Sequence, residues 1–304
     1  MSNFTPENNQ CPLCMSPRIR RFSAYASDEA SPALVCINEC KDCVFAWQYP
    51  VGRSEQQSIA FFKAAYADGG ETQSSYFNPN RKREIAILEY KFLEELPVDK
   101  GELLDIGSGA GLFAQVADEN GWSVTALDPA LDEQLLKNSP RIRAIKGTID
   151  SLPNEKLFDV ITLWDVIEHV ADPVELVSVV KSRLKKGGWL IVETGNYKSV
   201  ERINEGINHW IYQLDHKWYF SPDSMGSLLS RLGFSDLTFS KTVLRPSWES
   251  KPGYDGPSKI DFIKLIIKRP WRFFSLISKY RYLAKAKNWE MPGLSIFAVA
   301  ARKR

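Results

Sequence analysis

Glu102-Leu-Leu-Asp-Ile106, followed at once by Gly107-Ser-Gly-Ala-Gly111, is the stretch on which the fold turns. A short apolar run ends in a glycine turn, and a helix candidate, Leu112–Asn120, follows. Downstream the same alternation continues. Trp122–Asp128 reads as a strand, Asp132–Asn138 as a helix, Arg141–Lys146 and Phe158–Leu163 as strands, Pro173–Leu184 as a helix and Gly188–Thr194 as a strand. Repeated β-α units predict an α/β fold, a doubly wound parallel sheet with helices on both faces. Pro222–Leu232 reads as a further helix, capped by Ser221 with Pro222 at its first position. Ser235–Leu244 and Leu294–Ala301 are two more strands expected to close one edge.

The glycine turn lets a ligand approach the backbone where side chains would obstruct it. Its third glycine, Gly111, comes one residue too early for the dinucleotide G-x-G-x-x-G pattern. No Lys-Ser/Thr pair follows, which argues against a nucleoside triphosphate. Acids surround the turn. Asp105 precedes the glycines and suits a cationic ligand. Asp128 ends the second strand, where a carboxylate accepts hydrogen bonds from ribose hydroxyls. Asp150 follows the third strand, within reach of an adenine amino group.

These motifs, with Phe158-Asp-Val-Ile-Thr-Leu-Trp-Asp-Val-Ile-Glu-His-Val-Ala-Asp-Pro173 and Leu184-Lys-Lys-Gly-Gly-Trp-Leu-Ile191, resemble the class I S-adenosylmethionine-dependent methyltransferases. The resemblance covers about residues 100–244 and 294–301. It implies a Rossmann-like sheet with an antiparallel last strand and S-adenosylmethionine as cofactor. Asp105, Gly107, Gly109, Gly111, Asp128, Asp150 and Trp164 would hold that cofactor. The most similar branch is that of small-molecule and glycan O-methyltransferases of the ubiquinone-biosynthesis type. Its acid-x-x-Glu-His run and later His imply a divalent metal beside the acceptor oxygens. Here they correspond to Asp165-x-x-Glu168-His169 and His216, with Asp165 in place of the usual Glu.

Methyl transfer to oxygen also needs the acceptor proton removed, by a base or with a metal's help. The chain has three histidines. His169 and His216, with Asp165, are the catalytic candidates; His209 receives no role. A cysteine nucleophile is excluded, since no cysteine follows Cys43. The Asn/Asp-Pro-Pro-aromatic run of amino-group methylation is missing too. The acceptor expected is therefore a hydroxyl on a sugar, glycan or phenolic small molecule, and the aromatic segment Gly195–Phe220 is expected to shape its pocket.

All five cysteines lie in the first 43 residues. Cys11-Pro-Leu-Cys14 and Cys40-Lys-Asp-Cys43 are two C-x-x-C knuckles that can complete a tetrahedral, structural Zn²⁺ shell, leaving Cys36 over. The chain thus divides into a zinc-ribbon-like module (1–52), a helical lead-in (53–99), the methyltransferase domain (100–244), a basic helical insertion (245–290) and the last strand (291–304). In the lead-in, Tyr76, Phe77 and Arg83 either cover the cofactor or pack on the sheet.

A composition of 44 % hydrophobic and 25 % charged residues excludes disordered, collagen-like and coiled-coil chains. The net charge of +2 conceals an asymmetry: Ser258–Arg304 carries 12 Lys/Arg against two acids, so the remainder is acidic. Residues 258–287 read as amphipathic and basic, suited to an anionic membrane surface or to packing on the domain. Nucleic acid is disfavoured by the acidic body. No apolar run reaches the roughly 18 residues of a membrane span, and the N-terminus lacks a secretory pattern, so a cytoplasmic location, peripheral at the inner membrane surface at most, is expected. Two rivals stay open: an RNA or protein methyltransferase gripping a polymer with ribbon and tail, and a binding module that keeps the fold without turnover.

Overall fold

The computed structural model describes residues 9–27, 33–67, 79–131, 139, 141–153, 155–242, 244–245 and 295–304. The helix expected at Asp132–Asn138, the aromatic pair Tyr76 and Phe77, and the basic insertion beyond Arg245 lie outside the described residues.

Seven strands form the main sheet: β4 (Glu102–Ile106), β5 (Ser123–Asp128), β6 (Arg143–Lys146), β7 (Phe158–Trp164), β8 (Leu184–Gly195), β10 (Phe234–Phe239) and β11 (Ile296–Lys303). Their order is β10-β11-β8-β7-β4-β5-β6. β4 through β8 pair in parallel, whereas β11 runs antiparallel to both β8 and β10. This is the doubly wound sheet with an antiparallel last strand that the motifs imply. Boundaries differ locally. β8 starts at Leu184 rather than Gly188, and β10 stops at Phe239 rather than Leu244.

Alternation along the strands divides the core in two. Leu104, Ile161, Val192 and Val299 face one side with α4 (Pro173–Arg183) and α6 (Pro222–Arg231). Leu103, Val160, Ile191 and Ala298 face the other with α2 (Pro79–Glu94) and α3 (Leu112–Glu119). Period-2 side chains put neighbours on opposite faces, and covering both faces demands these apolar runs. The helices start where local chemistry directs. The Asp172 side chain accepts the N–H groups of Val174 and Glu175 before α4. Ser221 and Ser224 form a reciprocal capping box around Pro222, an arrangement worth about 1 kcal/mol.

The N-terminal segment forms a second sheet, β1 (Ile19–Tyr25), β2 (Leu34–Cys40) and β3 (Ala46–Gln48), whose fourth strand comes from the catalytic part. β9 (Trp218–Tyr219) pairs antiparallel with β3. Cys11, Leu13, Phe45 and Trp47 then merge with Trp218 and Phe220 into the core on the α4/α6 side. α1 (Glu55–Ala67) follows the ribbon, and α5 (Val200–Glu205) follows β8. No described helix is long and apolar enough to cross a membrane.

Candidate active site

At the C-terminal end of β4 the chain turns through Gly107 (φ 72°), Gly109 (φ 53°) and Gly111 (φ 74°) before α3 begins. These left-handed values favour glycine, and at Gly107 a Cβ would stand 2.3 Å from Val166 Cγ2. The loop is tied to the end of β5. Gly107 N–H donates to Leu127 O at 2.7 Å, and Gly109 N–H to Asp128 Oδ2 at 2.9 Å. Ala130 N–H donates to Asp128 Oδ1 at 2.6 Å. Burial pushes the Asp128 carboxyl up, and these two N–H bonds oppose that shift.

Asp105 is buried beneath the loop. Thr162 Oγ1 donates to its Oδ1 at 2.8 Å, while Oδ2 has no hydrogen-bond partner. Burial pushes Asp105 up to about 7, with the Asp128 charge adding to the effect. An orphan buried carboxylate oxygen suits a cationic ligand group. Trp164 closes β7 and packs on Phe113 with ring centroids 5.0 Å apart. Asp150 lies exposed in a short turn after β6, the most solvent-open of the predicted cofactor residues.

Beyond β7 the structure gathers a second group. Glu168, His169 and His216 place one potential ligand atom each within 4.8 Å of one another. The imidazole rings of His169 and His216 lie 4.7 Å apart at 74°. His216 Nδ1 stands 2.7 Å from Ile211 O, so it carries a proton and donates there. His169 Nδ1 stands 3.5 Å from Asp215 Oδ2, a charge approach without a hydrogen bond. Burial and the adjoining His216 push His169 down to about 4, so the ring is neutral. Glu168 Oε2 is buried without a hydrogen-bond partner, and burial holds this carboxyl well above the usual range. The backbone oxygen of Glu168 accepts Lys217 N–H at 2.8 Å, which docks the β9 segment onto this turn. Phe62, from α1, covers His169 edge-on at 5.5 Å.

Asp165 is not brought into this group. Its backbone is left-handed (φ 53°), and its Oδ2 accepts Arg245 Nη2 at 2.9 Å. Arg245 also pairs with Glu193 at 2.7 Å and Glu89 at 3.7 Å, so three carboxylates surround one buried guanidinium. Desolvation raises Glu89 to about 8 and Glu193 well above its ordinary value, against the opposing pull of Arg245.

Two further clusters complete the picture. Cys11, Cys14, Cys40 and Cys43 converge within 4.8 Å, a donor set that fits tetrahedral Zn²⁺. Cys36 lies apart on β2, exposed. Glu201, Glu205 and His209 also approach one another. There His209 Nδ1 accepts Ile211 N–H at 3.2 Å, so a neutral ring carries its proton on Nε2, facing Glu201 Oε2 at 3.8 Å. That is the wrong tautomer for a ligand through Nε2. This cluster clips the loop.

Of the residues just described, Glu168 was visible beside His169 in the sequence, and its direction of burial was not. Asp215, Arg245, Glu89 and Glu193 carried no motif signal.

A family model described as a methyltransferase domain matches residues 77–238, more than half of the chain. The chain belongs to this family. It is an S-adenosylmethionine-dependent methyltransferase. Among curated relatives, the ubiquinone biosynthesis O-methyltransferase of Rickettsia typhi is 33 % identical to this methyltransferase over 165 residues, covering 50 % of this chain and 67 % of that protein. Its counterpart in Rickettsia prowazekii is 35 % identical over 147 residues, covering 44 % of this chain and only 58 % of that protein. Among solved structures, the Burkholderia thailandensis 1,6-didemethyltoxoflavin N1-methyltransferase, with its substrate and S-adenosylhomocysteine bound, shares the fold at a TM-score of 0.52 and 15 % identity, covering 92 % of this chain and 99 % of that one.

Proposed function

We propose that this methyltransferase transfers a methyl group from S-adenosylmethionine to a hydroxyl of a small molecule, a sugar or glycan unit or a phenol, at the Glu168/His169/His216 group. The carrying observation is convergence: His169, His216 and Glu168, whose buried Oε2 lacks a hydrogen-bond partner, each bring a potential ligand atom to within 4.8 Å of one another. The kinship with ubiquinone biosynthesis O-methyltransferases supports oxygen as the acceptor atom.

In this reading the glycine loop, Asp105, Asp128 and Trp164 hold the cofactor, with Asp150 at the open rim. Asp105 Oδ2 faces its cationic part and Asp128 its ribose hydroxyls. The Glu168/His169/His216 donor set fits a divalent cation, because two imidazoles and a buried carboxylate converge and His216 gives its Nδ1–H to Ile211 O. When bound, such a cation would acidify the acceptor hydroxyl. The remaining work belongs to the chain. Phe62 excludes water from the imidazoles. The sheet ends hold acceptor oxygen and methyl carbon in line, a contribution of up to about 7–11 kcal/mol. The new O–C bond forms as the S–C bond breaks, the electron pair returns to sulfur, and the hydroxyl proton passes to water where a cation holds the donor set, or to an imidazole nitrogen where none does.

The test is incubation of cell extracts with the protein and radiolabelled cofactor, followed by isolation of the labelled product. An ether-linked methyl lost in His216→Ala, with cofactor binding retained by calorimetry, is expected. A product labelled on nitrogen or carbon would overturn the reading. Turnover that survives chelation would remove the cation from it and leave an imidazole as base.

A further inference from the structure

The loop before β9 supplies a second buried acid. Asp215 is 1 % exposed, and its Oδ2 stands 3.5 Å from His169 Nδ1 and 3.8 Å from Arg53 Nη1. Its other oxygen, Oδ1, is buried without a hydrogen-bond partner. Arg53 is 11 % exposed at its side chain, lies 4.4 Å over the Phe61 ring and immediately precedes α1, which carries Phe62 onto His169. Three separate pieces of chain therefore meet at one imidazole: the end of the ribbon, the turn after β7 and the loop before β9.

A neutral imidazole has two tautomers, and only an acceptor beside Nδ1 keeps the proton there and the Nε2 lone pair free. For His216 the backbone carbonyl of Ile211 does this. For His169 the Asp215 carboxylate stands 3.5 Å from Nδ1, short of a hydrogen bond, so it acts through its charge, beside a contribution from the Asp215 backbone. A carboxylate in so buried a place needs a cation nearby, and Arg53 is within pairing distance. Phe62 and the His216 ring pack on His169 from other sides and restrict its rotation.

We propose that Asp215 is a positioning residue: its carboxylate, held by Arg53, fixes His169 in the Nδ1–H tautomer and aims Nε2 at Glu168 and His216. The proposal rests on the reading of that trio as the acceptor site. Outer partners of this kind are worth roughly 10–100-fold in metal affinity or activity.

With three histidines in the chain, a long-range ¹H–¹⁵N NMR spectrum is simple to assign through single His→Gln variants. In wild-type protein without added metal, His169 is expected as the Nδ1–H tautomer. Asp215→Ala should convert it to a mixture or to Nε2–H, and weaken Co²⁺ binding by about 10–100-fold, with S-adenosylmethionine affinity unchanged. Asp215→Asn keeps an acceptor oxygen, so the tautomer should survive while Co²⁺ binding weakens severalfold. A folded Asp215→Ala protein with the wild-type tautomer overturns the proposal. Should that variant not fold, wild-type Co²⁺ affinity in Asp215→Asn overturns it instead. Wild-type protein that neither binds Co²⁺ nor labels any hydroxyl would sink the acceptor-site reading, and the tautomer measurement would still judge Asp215.

Discussion

Trp47 of β3 and Trp218 of β9 are directly paired residues in one sheet, although 170 positions separate them in the chain. Trp47 belongs to the cysteine-bearing ribbon; Trp218 comes two residues after His216. Both are almost fully buried, and Phe45 stacks on each with centroids 6.2 Å apart. Phe220 joins them at 5.0 Å from Phe45. The ribbon is thereby the packing partner of the segment that carries His216.

Ribbon and catalytic domain should consequently unfold together. Trp47→Ala is expected to cost about 3–5 kcal/mol. Calorimetric melting should show one transition that moves down as a whole. Two transitions, with only the lower one displaced, would contradict a shared core. Cys11→Ser should act the same way and abolish stoichiometric zinc in metal analysis.

Asp128 holds two backbone N–H groups, of Gly109 in the glycine turn and of Ala130 after β5. Asp128→Ala should lower S-adenosylmethionine affinity by roughly 10–100-fold, since hydrogen bonds to a charged group are worth about 1.5–3 kcal/mol. Isothermal titration with the cofactor measures it. Unchanged affinity would place the ribose elsewhere.

At Gly107 the backbone is left-handed and the side-chain space is filled by Val166. Gly107→Ala is expected to destabilise by about 2–4 kcal/mol, from the backbone penalty and the overpacking together. A double variant, Gly107→Ala with Val166→Ala, should recover only the overpacking part, read from denaturant midpoints.

Around Arg245 the pH dependence has a definite sign. Desolvation raises Glu89 from 4.5 to about 8, against the pull of Arg245. The native state then holds a proton that the unfolded state has lost between those values. Stability from this group is present below about pH 4.5 and falls as pH rises towards 8, by up to about 1.4 kcal/mol per unit. Glu89→Gln should flatten the slope of melting temperature against pH. Arg245→Met, which leaves the buried acids without their guanidinium, should cost about 3–5 kcal/mol. A slope that persists in Glu89→Gln would assign it to another acid, with Asp105, raised to about 7 by burial, the next to test.

Much of the catalytic fold was legible because its signals are local. Alternating apolar residues in Phe158–Trp164, the glycines after Ile106 and the Ser221/Pro222 start each constrain their own few dihedrals. The spacing of the two C-x-x-C pairs likewise announced four converging thiols. The Glu168/His169/His216 group was half legible. His169 and His216 stood out by rarity and by the Glu-His run, whereas Asp165, in line with the motif, turned instead to Arg245. No spacing rule could show that, since Arg245 lies 80 residues further on.

Sequence alone thus determined the strand and helix periods, the glycine turn and the cysteine knuckles, because each depends on neighbouring residues and their backbone preferences. Only the tertiary structure decided which distant polar groups meet. The β3–β9 pairing, the Asp215–His169 approach and the Arg245 ion pairs exist because a closed, two-faced core leaves each buried charge with few partners to choose from. Desolvation then makes those few encounters matter.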